Sequence, residues 1–241
     1  NAEATLPETL QSLKAQSLRN FRVVCVDDGS TDGSPAIMDE CVRHDDRFVV
    51  VHREHEGLIP TLNTGLALLD APLVARLDAD DVALPERLKL QRDWMRRHPE
   101  TTILGCGYDI LSDTEPAPGS ILYRDWQNGL LTDEDFRREL FVESPLVHPT
   151  VMFRREAVLA VGGYRDAGWA EDYDLWLRLA AAGAVFAKLP ERLVLWRDHP
   201  DRLTWTDARY ANEQFARCKA YHLARGPLAD RGPILLGGAG I

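Results

Sequence analysis

Paired cysteines are missing from this sequence. Cys25, Cys41, Cys106 and Cys218 are scattered along 241 residues, with no CxxC and no paired metal spacing, which argues against a zinc ribbon or a disulfide framework. Cys25 and Cys106 fall in strand-like runs and read as buried thiols, in keeping with a reducing compartment. Positive charge is also short: 28 Lys and Arg against 38 Asp and Glu leave a formal net charge of −10. A nucleic acid or an anionic membrane is therefore not expected as the main partner. No apolar run is long enough to span a bilayer, and there is no signal-peptide pattern, internal repeat or low-complexity stretch. A cytoplasmic location is expected. Hydrophobic residues make up 45% and charged residues 27%, which suits a globular chain of one large α/β domain or two small ones.

What is present is a dense set of acids at the end of an apolar run. Leu73 to Leu77 reads as a central strand buried on both faces, and Asp78, Asp80 and Asp81 follow at its carboxyl end. Ligands bind at that end of an open α/β sheet. Three carboxylates in four residues repel one another, and a divalent cation with hard oxygen ligands would relieve the repulsion. The competing reading is a solvated turn in which Asp81 caps the next helix.

The first half of the chain alternates strand and helix patterns. Thr5 and Glu8 have capping-box spacing ahead of Leu6, Leu10 and Leu13. Phe21 to Val26 predicts a strand ending in Asp27-Asp28-Gly29-Ser30, where two acids can accept hydrogen bonds from a base or a ribose and Gly29 lets the backbone approach a ligand. Phe48 to Val51 predicts another strand. Leu58, Leu62, Leu66 and Leu69 then mark a helix that carries Asn63, a residue that faces either a ligand or solvent, and Gly65, which suggests close packing. Pro85 is expected to open a helix, and Thr102 to Tyr108 to form a strand.

Alternation stops after that. Ser112 to Ser120 reads as loop, Thr132 to Leu140 as a short helix, and Ser144 to Phe153 as a loop entering a strand, with His148 structural by default and an active-site group as the minor reading. Glu171, Asp172 and Asp174 open a helix that ends at Gly183. The macrodipole alone would favour acids there, but Trp169, Tyr173 and Trp176 surround them as aromatics do in a sugar-binding cleft. Strands are expected at Ala184 to Leu189 and Leu193 to Arg197, with Arg197 and His199 at the end of the last, and a long helix from Asp207 to Arg225. The chain begins at Asn1 ahead of a helix, and Pro233 to Ile241 reads as a strand entering a Gly-rich turn. Both ends are expected to be cut, the second either at the start of a further domain or in a flexible tail.

Taken in order, NAEATLPETLQSL, VCVDDGSTDGS, TLNTGLAL, ARLDADDVALPERL, HPTVMFRREAVLAVGGY, EDYDLWLRLAAAG and LWRDH resemble the family 2 inverting glycosyltransferases of GT-A fold. The resemblance implies a single α/β domain with a Rossmann-like, nucleotide-binding mixed sheet flanked by helices. Residues 1–110 would be the nucleotide-sugar half, its first strand missing, 111–205 the acceptor and catalytic half, and 206–241 a C-terminal helix and the start of a truncated domain. It implies that Asp27 and Asp28 hold the base and ribose of a UDP-type donor, with Asn63 and Asp78 also on the nucleotide. Asp80 and His199 would bind Mn²⁺ or Mg²⁺, Asp172 would be the general base with Glu171 beside it, and Arg197, His148 and Trp169 would reach the diphosphate or acceptor. The implied partners are a nucleotide-sugar donor and a glycan or lipid-linked acceptor, with room for peripheral membrane association. The alternatives are a sugar-nucleotide pyrophosphorylase, for which no Gly-rich triphosphate loop is visible, and an inactive nucleotide-sugar-binding domain.

Overall fold

A computed structural model describes residues 1–229 and 231. The elements run α1 (Leu6–Lys14), β1 (Val23–Asp28), α2 (Ser34–His44), β2 (Phe48–Arg53), α3 (Leu58–Leu68), β3 (Leu73–Ala75), β4 (Val82–Ala83), α4 (Arg87–Arg97) and β5 (Thr101–Leu111). They continue with α5 (Pro118–Gly129), α6 (Asp133–Glu139), β6 (Met152–Arg154), α7 (Arg155–Ala160), α8 (Glu171–Ala181), β7 (Val185–Arg197), α9 (Leu203–Thr206) and α10 (Asn212–Arg225), with 3₁₀ turns at His148–Thr150 and Ala208–Tyr210. The Pro233 to Ile241 segment, expected to begin a further domain, lies outside the described residues.

The expected mixed α/β architecture is observed. β1 and β2 pair in parallel, and a second sheet has the order β3-β6-β5-β7-β4. In that sheet β5 and β7 run parallel while β6 and β4 are antiparallel to their neighbours. β6 and β7 come from the second half of the chain and insert beside strands of the first, so the acids of both halves are carried by one sheet and the helices on it. The Leu73 strand is three residues long and sits at the edge of this sheet rather than at its centre. The two strands expected at Ala184–Leu189 and Leu193–Arg197 are one continuous β7, irregular in register where Pro190 and Glu191 pass Gly107.

α8 is the helix around which the main core is built. Leu175, Trp176, Leu177 and Leu179 are buried with Ile103, Phe153 and Phe186, and truncating a residue the size of Trp176 in such a core costs about 3–5 kcal/mol. Packing fixes the direction of the helix and thereby the position of the acids at its amino end. α6 starts as its sequence predicts, with a capping box between Thr132 and Asp135. The capping box expected at Thr5 and Glu8 does not form. Thr5 is itself in a helical conformation, its hydroxyl donates to the Ala2 and Ala79 carbonyls, and Glu8 pairs with Arg197. α5 starts inside the stretch expected to be loop, and the last helix starts at Asn212 rather than Asp207. Gly65 is not needed for close approach, since a Cβ there would meet only Val26 Cγ2 at 3.7 Å, an ordinary contact.

Candidate active site

The acids after β3 meet β7 because of strand register. Val82 of β4 pairs with Leu195 of β7 in antiparallel fashion, so residues two before Val82 lie across from residues two after Leu195. Asp80 and Asp81 thus face Arg197. The Arg197 N–H donates to Asp81 Oδ1 at 2.7 Å and its Nε to the Asp80 carbonyl at 2.7 Å, while its outer nitrogen reaches Glu8. His199 Nε2 lies 3.1 Å from Asp80 Oδ2. Arg76 pairs with Asp78. Alternation along an extended strand puts positions i and i+2 on one side, a signal for Arg76 that was present in the sequence and passed over.

The three carboxylates can present oxygens that all lie within 4.8 Å of one another. Asp81 is 1% exposed, and its Oδ2 is buried without a hydrogen-bond partner. Burial, and then the charges of Asp78 and Asp80, push Asp81 well above the usual carboxylate range. Asp78 is also raised, chiefly by burial, against the pull of Arg76. A buried, unpartnered carboxylate oxygen beside two further carboxylates is what a hard divalent cation would satisfy, and Asp78, Asp80 and Asp81 fit such an ion. Asp81 is not the cap of the next helix: α4 begins after Glu86.

The second acid group opens α8. Glu171 is 2% exposed; its Oε2 accepts from the Tyr210 hydroxyl at 2.8 Å and its Oε1 lies 3.9 Å from His148 Nδ1. Asp172 accepts only the Tyr173 N–H, at 2.7 Å, among the described residues. Burial, and then the Glu171 charge, push Asp172 up to about 8; burial also raises Glu171. Asp174 has the opposite environment. It is fully buried and accepts from Arg165, Arg178, Trp169 and His222, and these bonds outweigh burial and hold it well below the usual range. Asp174, Cys218 and His222 have ligand-like spacing, but two guanidinium groups already satisfy Asp174, so this cluster is an anchor between α8 and α10.

The two acid groups share neighbours. The Tyr164 hydroxyl, 2.8 Å from His148 Nε2, is kept protonated by burial first and then by the charges of Glu171, Asp172 and Asp78, with Arg76 opposing. Arg76, which pairs with Asp78, is felt by both groups: its charge lowers Asp78, Glu171 and Asp172 alike.

At the end of β1, Asp27 accepts from the Ser30 N–H at 3.1 Å and sits 3.0 Å from His52 Nδ1. Asp28 accepts the N–H groups of Glu56 and Gly57, each at 2.9 Å, which braces the turn before α3. Burial raises both acids, but these hydrogen bonds prevail and both are lowered. Gly29 has a φ of 71°, and a Cβ there would press on the His55 backbone nitrogen at 2.8 Å. The turn is thus built tightly and holds two ionised carboxylates.

Three expected site residues are placed otherwise. Both ends of the Asn63 amide are engaged by the backbone of Tyr164, at 2.9 and 3.0 Å, so Asn63 braces α3 against the Gly162-Gly163 turn. The Trp169 indole N–H donates to Asp174 and its ring packs on Tyr221, directed into the anchor rather than toward an acceptor. His148 is buried beside Tyr164 and Trp176, and burial holds its pKa well below the ordinary value, so it is a neutral packing and orienting group. Arg197 reaches the acid turn as expected, yet its guanidinium is spent on the Asp80 carbonyl and Glu8. Tyr210 carries no sequence signal, and Tyr164 only that it closes the HPTVMFRREAVLAVGGY stretch; each acts on a residue brought to it by folding.

Residues 1–162 match the family model for Glycosyl transferase family 2. The amylovoran biosynthesis glycosyltransferase AmsE of Erwinia amylovora is 30% identical over 197 residues, covering 81% of this chain and 71% of that protein. The UDP-Gal:α-D-GlcNAc-diphosphoundecaprenol β-1,3-galactosyltransferase of Escherichia coli is 28% identical, over 78% of this chain and 67% of its own. Among solved structures, S. aureus TarS 1-349 in complex with UDP-GlcNAc aligns over 93% of this chain and 64% of its own, with a TM-score of 0.74 and 19% identity, a likeness of fold. Mannosyltransferase PcManGT from Pyrobaculum calidifontis, in complex with GDP-Man and Mn²⁺, aligns with a TM-score of 0.63 and 17% identity over 97% of this chain and 73% of its own. The chain therefore spans less than two thirds of the TarS fragment. With a family match over most of its length and relatives named as glycosyltransferases, this chain belongs to glycosyl transferase family 2 and is a glycosyltransferase of GT-A fold.

Proposed function

We propose that the protein transfers a sugar from a UDP-type donor to a hydroxyl acceptor with inversion, aided by Mn²⁺ or Mg²⁺. The observation that carries this reading is the pairing of two unlike acid groups around Arg76 and Tyr164. One has an unpartnered buried oxygen suited to a cation; the other holds a carboxyl raised to about 8 by burial and a neighbouring charge. Asp80 and Asp81 would hold the ion, with Asp78 on the ribose or an ion-bound water and His199 next to Asp80. When bound, the ion supplies charge stabilisation for the departing diphosphate oxygens. Asp27 and Asp28 shape the base and ribose end of the donor.

The remaining steps use side chains of this chain. The acceptor hydroxyl must lose a proton as it attacks, and Asp172, whose Oδ2 has no internal partner among the described residues, is the base in our reading. A raised pKa makes it a stronger proton acceptor once ionised. A single attack from the face opposite the diphosphate inverts the anomeric carbon, so one base suffices; a glycosidase would need two flanking carboxylates and no nucleotide site. Glu171 fixes the pair, and buried His148 and Tyr164 exclude water behind it. The acceptor is proposed to approach from α5. Tyr123 on that helix feels the Asp172 charge, and beyond it Pro116, Pro118, Ile121 and Leu122 line an apolar hollow of ≈ 540 Å³. The E. coli relative's diphosphoundecaprenol acceptor suggests a lipid-linked glycan, and AmsE suggests polysaccharide synthesis. Among the described residues no helix is long and apolar enough to cross a membrane.

Thermal shift with UDP, with and without Mn²⁺, followed by UDP release from a panel of nucleotide-sugars, tests the proposal. A Mn²⁺-dependent shift with turnover of one donor is expected. Absence of a metal-dependent shift with every nucleoside diphosphate would overturn it. The pyrophosphorylase alternative has no observation in its favour.

A further inference from the structure

Glu171 and Asp172 are neighbours in sequence and both acidic, yet Glu171 is buried, Asp172 is half-buried, and they are not held alike. Glu171 is met from two elements outside its own helix. The Tyr210 hydroxyl, from the 3₁₀ turn after α9, donates to Oε2 at 2.8 Å, and His148, from the turn before β6, lies 3.9 Å from Oε1. Asp172 has no such partner among the described residues, only the N–H of Tyr173 on its own helix. Tyr210 is itself well seated. Asp207 accepts the Arg209 N–H at 2.9 Å and pairs with the Arg209 guanidinium, which fixes the turn, and the Tyr210 ring packs against the main core. The charged and titratable groups around Glu171 are thus Tyr210 and Arg209 from that turn, His148 from the other, Tyr164 beside His148, Arg76 from the end of β3 and Asp172 next to it. His148 is held neutral by burial, so it brings no charge to the pair.

We propose that Tyr210 is a positioning residue of the transfer site: its hydroxyl holds Glu171 as the fixed, ionised member of the pair, and so leaves Asp172 as the one free to turn toward the acceptor. The inference rests on the reading of Asp172 as base. A hydroxyl donor favours the ionised form of the carboxylate it touches, and a hydrogen bond to a charged group restricts its rotamers as well. Without it, Glu171 and Asp172 would compete for one proton and for the same orientation. The segment that completes the catalytic pair comes from beyond residue 162, where the family match ends.

Tyr210→Phe keeps the ring and its packing and removes the donor; Glu171→Gln removes the charge it serves. Three readouts are compared with the wild type: UDP binding with Mn²⁺ by thermal shift, the pH profile of UDP release from whichever of UDP-glucose, UDP-galactose and UDP-N-acetylglucosamine is turned over, and melting temperature from pH 5 to 9 without ligand. Tyr210→Phe should leave UDP binding and donor KM within about twofold and lower kcat by about ten- to a hundredfold, the worth of a hydrogen bond to a charged group. Its loss of melting temperature should be larger at pH 9, where Glu171 is ionised, than at pH 5, and should vanish in a Glu171→Gln background. Unchanged kcat, or a melting-temperature loss independent of pH and of Glu171, would overturn the proposal, because the hydroxyl would then only fill space. If the wild type neither binds UDP nor releases it, the transferase reading fails instead. The pH-dependent stability of the two variants then still decides whether Tyr210 holds Glu171 as an anion.

Discussion

Asp172 and Asp174 lie two residues apart in the first turn of one helix, and the fold treats them in opposite ways. Asp174 is surrounded by donors: Arg165, Arg178, Trp169 and His222 all converge on it, and it stays ionised despite complete burial. Asp172 receives one backbone N–H and has a like charge beside it, so burial prevails and it is pushed up to about 8. The macrodipole acts on both and so does not explain the difference. The supply of hydrogen-bond donors does: desolvation raises a carboxylate by default, and only enough donors to the charged form reverse the sign. One acid joins helices; the other, proposed above as the base, is largely protonated at neutral pH and becomes able to accept a proton as pH rises toward about 8.

The sharpest way to separate the two is to neutralise Asp172. Asp172→Asn keeps shape and removes the proton acceptor, so transfer should fall by about 10²- to 10⁴-fold, the range for a general base, while UDP and Mn²⁺ binding persist. Donor turnover and thermal shift measure the two separately; loss of UDP binding would mean Asp172 belongs to the donor site. Stability gives an independent sign. Asp172 titrates at about 8 in the folded chain and near ~3.9 when unfolded. Between those values the folded state holds the extra proton, so wild-type stability falls as pH rises from about 4 to about 8 and then levels off. Asparagine has no proton to lose. The variant should therefore gain ~1–3 kcal/mol over wild type on going from pH 5 to pH 9, read by urea unfolding.

Neutralising Asp174 should do the reverse. Asp174→Ala leaves the Arg178 guanidinium, 9% exposed at its side chain, without its carboxylate, a loss of about 3–5 kcal/mol. Denaturant unfolding should show it at every pH above 4. If Asp174→Ala instead folds with wild-type stability and loses activity, the roles assigned to the two acids are interchanged.

A third acid sharpens the comparison. Asp81, like Asp172, has too few donors, but it is fully buried where Asp172 is half-buried, and it has two carboxylates for neighbours where Asp172 has one. Asp81→Asn should stabilise the metal-free protein at neutral pH, by relieving that repulsion. It should weaken Mn²⁺ by at least the ~10–100-fold that even outer-shell partners cost, measured by Mn²⁺ titration of the UDP-dependent thermal shift. Asp80→Ala should show the same loss of Mn²⁺. Unchanged Mn²⁺ affinity in both variants would leave the cluster without its proposed role.

These contrasts also mark what could be read from the sequence. The grouping of Asp78, Asp80 and Asp81 was legible because everything that brings them together is local: an apolar strand, a turn, and three acids within four residues. Glu171-Asp172 could be picked out only through the ordered stretches that the resemblance rests on. The difference between Asp172 and Asp174 was not, because it depends on Arg165, on Arg178 and on His222, 48 residues away. Asn63 fails for the same reason, since its partner is the backbone of Tyr164, 101 residues on. The edge position of the Leu73 strand was hidden too, because a short apolar run looks alike in the middle and at the border of a sheet. His148 shows the converse: its apolar flanks point to burial, and it is buried beside Tyr164 and Trp176.

Trp169 gives the smallest effect and the closest control. Aromatics next to acids suggested a sugar platform, yet the indole N–H is one of several donors on Asp174, at 3.1 Å, and the ring lies 5.4 Å from that of Tyr221. Trp169→Phe should therefore cost only about 1 kcal/mol, one neutral donor out of a set that includes two guanidinium groups. It should leave kcat and the acceptor KM unchanged, because Asp174 remains ionised and α8 remains anchored. A drop in acceptor affinity without a loss of stability would move Trp169 back into the cleft. A loss as large as that of Asp174→Ala would mean that the indole, rather than the guanidinium pair, keeps the anchor charged, and the explanation offered for the difference between the two aspartates would then be wrong in its main term.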